Sequence, residues 1–539
     1  MSDVVDYIVV GAGPGGCATA VRLAQARPDR TVALLETGPA RTSILSDVPL
    51  GIAALVAFRG RHNYAYQTVP QPELGGRRGF QPRGRGLGGS SLINAMIYVR
   101  GQPEDYDGWA EAGCTGWSWA EVLPYFKRAE DNARGGDALH GAGGALRVED
   151  LREDNPATDA FVEAAMQCGY PHNPDFNGAV QEGVGRYQVF QKNGSRFNAA
   201  RAYLGKGYPN LMVIADAPCA GVLFEETRAT GVRYHREGAE HRLIARHEVV
   251  LAAGAFGTPQ LLMASGIGPA AHLRDHGIPV VYDAPEVGAN LQDHIDYTIG
   301  MRTGADGLFG LSAATVLQGA GALGPWRKRG RGMLTTNVAE AGGFVKSDPL
   351  LDRPDLQLHF CLGIVDDHNR KMHLGRGYSL HVCALRPHSR GEVRLASADT
   401  RVAPLIDPRF LSDPRDMETL VKGAKLAQRI VAAPALAALK GRPLYGTGRD
   451  EEAALRALIR DHADTIYHPV GTCRMGDDPA SVVDPRLRVR GVIGLRVADA
   501  SIMPSLISGN TQAPTAMIGE RAADLILGVN GGAGERLAA

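Results

Sequence analysis

The sequence predicts an α/β protein of two interleaved lobes, one a parallel sheet wound with helices and the other an α+β lobe built on an antiparallel sheet. Three observations predict it. The chain opens with a β-branched apolar strand, a glycine turn and a helix in VDYIVVGAGPGGCATAVRLAQ. Two later segments, TVALLETG and EVVLAAGAFGTPQLLMASGIGP, are again buried strands, and the second runs through small residues into a helix. Farther on, PDLQLHFCLGIV and YSLHVCALRPHSRGEVRLAS have strand length, the latter broken by a Pro-His-Ser-Arg-Gly turn, and DMETLVKGAKLAQRIVAAPAL supplies a helix to cover them.

The first element binds phosphate. Gly11, Gly13 and Gly16 satisfy G-x-G-x-x-G: the first permits the tight turn, the second lets backbone approach a pyrophosphate, and the third lets helix pack closely on strand. The helix N-terminus behind them offers unpaired N–H groups to the phosphates. The strand TVALLETG ends in Glu36, 20 residues after Gly16, where an acid accepts hydrogen bonds from an adenosine ribose and repels a 2′-phosphate. The order strand, loop, helix, strand, acid therefore predicts a Rossmann-type dinucleotide-binding domain. It does not separate NAD from FAD, which share the ADP half. The next element, PRGRGLGGSSLINAMIYVRG (82–101), is a glycine-rich loop suited to lie flat against a planar ligand.

Composition narrows the partner. A chain of 539 residues can bury two large cores. Lys+Arg and Asp+Glu both number 58, and aromatic residues are 6%, so neither a charged field nor a stacking platform favours nucleic acid. The expected partner is a small molecule. Seven scattered cysteines with no C-x-x-C pair argue against a disulfide framework, and MSDVVDYIVVGAG has no basic n-region, which together predict a cytoplasmic protein. The most apolar run, VPLGIAALVAF, has 11 residues, short of the ~18 that span a bilayer. Its GIAALVAF part is either a peripheral membrane contact or a buried helix. The tail GVNGGAGER reads as a frayed end.

Near the C-terminus, TIYHPVGTCRMG sets His468 before a proline and five residues before Cys473. A zinc site would lack half its ligands, and no metal is expected. A cysteine nucleophile and an ordinary structural histidine both stay open on spacing alone.

Three separated stretches resolve the question by resemblance. GRGLGGSSLINAMIYVRGQPEDYD, GAFGTPQLLMASGIG and GLRVADASIMPSLISGNTQAPTAMIGERAADLI resemble, in order, the signature segments of the glucose–methanol–choline (GMC) flavin oxidoreductases. The chain is similar above all to bacterial members that oxidise aliphatic primary alcohols, and nearly as similar to choline dehydrogenases, through DFNGAVQEGVGRYQVFQKNGSRFNAARAYL, TTNVAEAGGFVKS and IYHPVGTCRMG. The resemblance implies non-covalent FAD: Gly11, Gly13, Pro14, Gly16 and Glu36 on its ADP half and the main chain of Cys219 at the adenine. It also implies Gly88, Gly89, Ser90, Asn94 and Ala95 along the pyrophosphate and isoalloxazine, and Asp499, Ala500, Asn510 and Thr511 from the C-terminal segment. Where some relatives carry a flavin-linking histidine, this sequence has Ile93.

It implies His468 as catalytic base and Asn510 as its partner. Oxidising R–CH₂–OH moves a hydride from carbon, which is easier once the hydroxyl proton leaves to a base, and an imidazole with an ordinary pKa of ~6.5 suits that task. The expected domains are 1–150, 216–294 and 466–530 for FAD, 151–215 and 295–465 for substrate, with 531–539 a flexible tail. Glu340 could meet a cationic substrate, but the sparse aromatics favour a neutral primary alcohol over choline. Electrons are expected to pass to a quinone or an electron-carrier protein. The rival readings are choline dehydrogenase, an oxidase using dioxygen, and a flavin-holding protein without turnover.

Overall fold

The computed structural model describes residues 4–311, 313–446 and 451–529; the tail 531–539 lies outside the described residues. β1 (Val4–Val10), α1 (Pro14–Ala26) and β2 (Val32–Leu35) form the expected first unit. The strands are buried almost throughout because a parallel sheet is covered on both faces, which is why, Asp6 apart, they read as apolar runs. A Cβ at Gly16 would lie 1.8 Å from the Gly11 carbonyl oxygen, so only glycine lets α1 approach β1 this closely.

The first sheet has the order Leu211–Ile214, β2, β1, Ala239–Leu251, and then a split. The N-terminal half of the long strand Ala239–Leu251 pairs antiparallel with Arg228–Arg236, which pairs in turn with Cys219–Glu225. Its last three residues pair in parallel with Leu495–Val497. The C-terminal segment thus closes a sheet begun at β1. The strand Leu211–Ile214 pairs in parallel with β2, so it lies in the first sheet, and the sequence division at residue 215 set it in the other lobe. Four residues carry too weak a pattern to announce a parallel edge strand.

The second sheet is antiparallel and runs Ile295–Arg302, Gly375–Ala384, Leu356–Cys361, Ala339–Val345, Gly183–Arg186 through its centre. Its strands alternate, apart from a register shift in Ala339–Val345. Ile295, Tyr297, Ile299, Leu356, Leu358, Phe360, Leu380 and Val382 face a core shared with the helices Pro156–Gln167 and Pro414–Ala432. The alternate residues, Asp296, Thr298, Gln357, His359, Cys361 and His381, face the other way. One side of this sheet is therefore apolar and helix-covered, the other polar and turned toward the first lobe.

Two of the chain's crossings between the lobes meet in one place. Ile295 and Asp296, where the chain enters the second sheet, pair with Thr465 and Asp464, where it leaves. The stretch VPLGIAALVAF forms a 3₁₀ turn and the helical turn Ile52–Leu55, with Val56 and Ala57 buried and Phe58 exposed. No helix among the described residues is long and apolar enough to cross a membrane.

Candidate active site

A cavity of about 1180 Å³ runs between the lobes. That exceeds the ~300–1,000 Å³ of sites for drug-sized ligands and suits a dinucleotide with a substrate beyond it. One end is lined by Glu36, Pro218 and Cys219, the middle by Gly11, Gly13 and Pro14, and the other end by Ala95, His468 and Asn510.

Three helices begin at this cavity: α1 at Gly13, Gly254–Ala264 at Ala253, and Gln512–Leu527 at Thr511. None is capped by the side chain of its own N-cap residue and none has an acid in its first turn, although the Asp499 carboxylate takes the first N–H of Gly254–Ala264. Uncapped N-termini leave donors and positive dipole ends free, which fits a diphosphate. A Cβ at Gly89 would stand 2.7 Å from the Gly13 Cα, so the 82–101 loop is pressed onto the phosphate loop.

Glu36 holds these loops together as well as facing the cavity. Its carboxylate accepts from the backbone N–H groups of Ala12 (3.0 Å), Gly38 (2.8 Å) and Gly86 (3.0 Å). Burial pushes its pKa above the usual carboxylate value, and the three amides pull it back. Asp499 does the same at the other seam, accepting from Gly254 N–H (2.8 Å), the Thr258 hydroxyl (2.5 Å) and Ser501 N–H (2.8 Å). Gly88 N–H donates to the Ala12 carbonyl, and Asn94 is fixed by Gln512 and by the buried Arg196. Ser90 Oγ accepts from the Gly84 N–H (3.1 Å), and the Thr400 hydroxyl donates to the Cys219 carbonyl (2.7 Å). Ala500 and Thr511 line the same wall.

His468 is 7% exposed, and its hydrogen bonds determine its tautomer. His294 Nε2 lies 3.0 Å from the Leu385 carbonyl, an obligate acceptor, so Nε2 carries the proton. Burial lowers the pKa of His294 to about 3, so it is neutral and its Nδ1 is a lone pair. The Nδ1 of His468, 2.9 Å away, must therefore donate, which leaves its Nε2 lone pair toward the cavity. Burial drives His468 well below the ordinary imidazole pKa, and His294, His359 and Arg83 push the same way. The Asp293 carboxylate accepts the His468 backbone N–H (2.8 Å) and the Thr465 hydroxyl (2.5 Å), pinning the strand crossing beneath the ring.

Asn510 is oriented with equal definition. Gln357 Nε2 donates to Asn510 Oδ1 at 3.0 Å, which turns the Asn510 amide nitrogen toward His468 Nε2, 3.2 Å away. Its second N–H is left for a ligand oxygen. A neutral base and a hydrogen-bond donor thus converge on one point in the cavity wall.

Sequence reasoning singled out His468 and Asn510, which the structure brings within 3.2 Å of each other, and passed over their neighbours Asp293, His294 and Gln357 and the cavity-lining His359 and His381. The available signal was polar residues alternating with apolar ones in LQLHFC and YSLHVC. Glu340 is turned away: a register shift between Ala339 and Ala341 sends its carboxyl into the lobe, where it accepts from the Thr158 hydroxyl at 2.8 Å. Cys473 is buried in the first lobe and its thiol is pushed well up by burial, so it supplies no thiolate. Among the described residues no group of three or more His, Cys, Asp or Glu is arranged to hold a metal.

Residues 5–296 and 387–519 match the two models of the GMC oxidoreductase family. The chain is 48% identical to an alcohol dehydrogenase [acceptor] of Pseudomonas putida, over 97% of this chain and 95% of that one. It is 43% identical to the mitochondrial choline dehydrogenase of Homo sapiens, over 98% and 90% respectively. Among solved structures it superposes on a formate oxidase of Aspergillus oryzae RIB40, described for its FAD modification, with a TM-score of 0.90 at 26% identity over 97% of this chain and 98% of that one.

Proposed function

The chain belongs to the GMC oxidoreductase family, and from that premise we propose that it oxidises a primary alcohol to an aldehyde using FAD, with His468 as base. The observation that carries this reading is the convergence of the His468 lone pair and the Asn510 amide on one wall of the cavity. FAD, when bound, supplies the hydride acceptor. Gly11, Gly13, Pro14, Gly16 and Glu36 would hold its ADP half, Gly88, Gly89, Ser90, Asn94 and Ala95 would lie along its pyrophosphate and isoalloxazine, and Asp499, Ala500 and Thr511 would meet it near the pyrophosphate and ribityl chain.

The alcohol hydroxyl displaces the Asn510 N–H from His468 Nε2, which then takes the hydroxyl proton, and the charge this creates on the ring is stabilised by the hydrogen bond from Nδ1 to His294. Asn510 donates to the alcohol oxygen as negative charge grows there, which keeps that charge from facing an apolar wall. Glu340 points into its own lobe, so the wall offers no carboxylate of that origin to a trimethylammonium group, which supports a neutral alcohol over choline.

We expect His468→Ala to keep FAD and its fold but to lose about 10²-fold or more in the rate of anaerobic flavin reduction by alcohol, the scale of general base catalysis. Unchanged bleaching at pH 7 would remove His468 from the role.

FAD is bound without a covalent link, since Ile93 offers no nucleophilic atom at the loop. Acid precipitation should release yellow flavin into the supernatant; flavin retained in the washed pellet would contradict this.

The electrons go to a quinone or a carrier protein rather than to dioxygen, a reading supported by the relative named for an unspecified acceptor. Turnover in air-saturated buffer should rise when a soluble quinone is added. Rapid peroxide release that the quinone does not alter would make the protein an oxidase.

A further inference from the structure

The polar face of the second sheet extends past the catalytic pair. Gln357, which holds Asn510, is followed two residues on by His359 on the same face, and His359 stands directly across from His381 on the neighbouring strand. Strand spacings place His381 roughly 8 Å from Gln357, the residue that holds Asn510. Both histidines line the cavity, at 3% and 6% exposure.

Neither is satisfied within the protein. His359 has no hydrogen-bond partner on either ring nitrogen, and His381 has none on Nε2. His381 Nδ1 faces the Asp296 carboxylate at 2.6 Å and the Thr298 hydroxyl at 2.9 Å. Two arrangements of the Asp296–His381 proton are open, and they agree about Nε2. If Asp296 is ionised and His381 is an imidazolium, Nε2 carries a proton. If the proton sits on Asp296 and is donated to Nδ1, the neutral ring again carries its own proton on Nε2. Burial raises Asp296, and Asp296 raises His381 to about 10, so the pair keeps this proton at neutral pH. The Cys361 thiol beside His381 is only a weak acceptor. A buried N–H whose only neighbour is a weak acceptor is poorly satisfied, so an occupant that accepts this bond gains by it.

We propose that His381, with His359 beside it, forms a second polar subsite that takes an oxygen acceptor remote from the carbinol, so that the preferred substrates are alcohols carrying a further ether or hydroxyl oxygen rather than plain alkanols. A neutral oxygen is specified because the Asp296–His381 pair has no net charge, and a carboxylate would stand there without a counter-ion. The inference rests on the reading of His468 as the base. The two fail separately: absence of flavin reduction by any alcohol would defeat that reading, whereas the subsite is tested by preference among alcohols that do reduce the flavin.

The experiment compares kcat/KM for 1-alkanols with that for α,ω-diols and monoalkyl glycol ethers of equal chain length, with ω-hydroxycarboxylates as a further arm. The same comparison is made in His381→Leu and, to avoid an unpaired buried carboxylate, in the double variant His381→Leu/Asp296→Asn. At the matching length the oxygen-bearing alcohols should exceed the alkanols about 10-fold, and this preference should fall to near unity in the variants while alkanol oxidation persists. Binding of a dialkyl glycol ether, which has no hydroxyl to oxidise, should perturb the flavin spectrum of the wild type and weaken by a similar factor in the variants. Equal or better alkanols at every length in the wild type would overturn the proposal, whatever the variants do. So would a preference that survives loss of His381, or ω-hydroxycarboxylates outrunning the neutral compounds.

Discussion

The site depends on the desolvation of His468. In water an imidazole near its ordinary pKa of ~6.5 is protonated part of the time and either nitrogen carries the hydrogen. Enclosed between the lobes, the charged ring would carry an ion's burial cost, on the order of several kcal/mol. Neutrality alone would not suffice, because a neutral ring with its lone pair on Nδ1 would face away from the cavity. The Leu385 carbonyl settles the second requirement from two residues away: it fixes the proton on His294 Nε2, and through the His294–His468 hydrogen bond it fixes the lone pair on His468 Nε2.

Enclosure of that kind explains why the chain interleaves its lobes. His468 and Asn510 belong to the C-terminal segment that completes the first sheet, but the groups that orient them come from two of the crossings and from the second sheet. Asp293 and His294 immediately precede Ile295–Arg302, and Gln357 lies on Leu356–Cys361. The crossings pair with each other beside His468, so separating the lobes would expose the base and undo its orientation at once. Tyr467, just before the base, has a positive φ of 79°, a conformation that non-glycine residues rarely adopt; its N–H donates to Thr465 Oγ1, which is itself bound to Asp293.

Much of the first lobe is legible in the sequence because its signals are local. A glycine with no room for a Cβ, as at Gly16, or an acid at a strand end, as at Glu36, is determined within a few residues of itself. The second lobe is less legible. Its strands LQLHFC and YSLHVC read as apolar runs, and only when paired do the histidines in them fall on one face. Glu340 was misleading for the same reason: one register shift at its strand decides which side its carboxyl occupies, and nothing in NVAEAGGFV announces it. His294 carries no motif at all, since its contribution is a proton on a particular nitrogen. The parallel edge strand Leu211–Ile214 is too short to show its partner.

The most direct measurement of the central claim is the pH dependence of the limiting rate of anaerobic flavin reduction by a good alcohol substrate. His468 is held neutral by burial, below the ordinary imidazole range, so it remains competent as a base when the pH falls through 6.5. The account predicts a rate that stays level from pH 8 to below 6.5 in the wild type. A rate that falls tenfold per unit from near neutrality downward would show a base titrating as it does in water and would contradict the account.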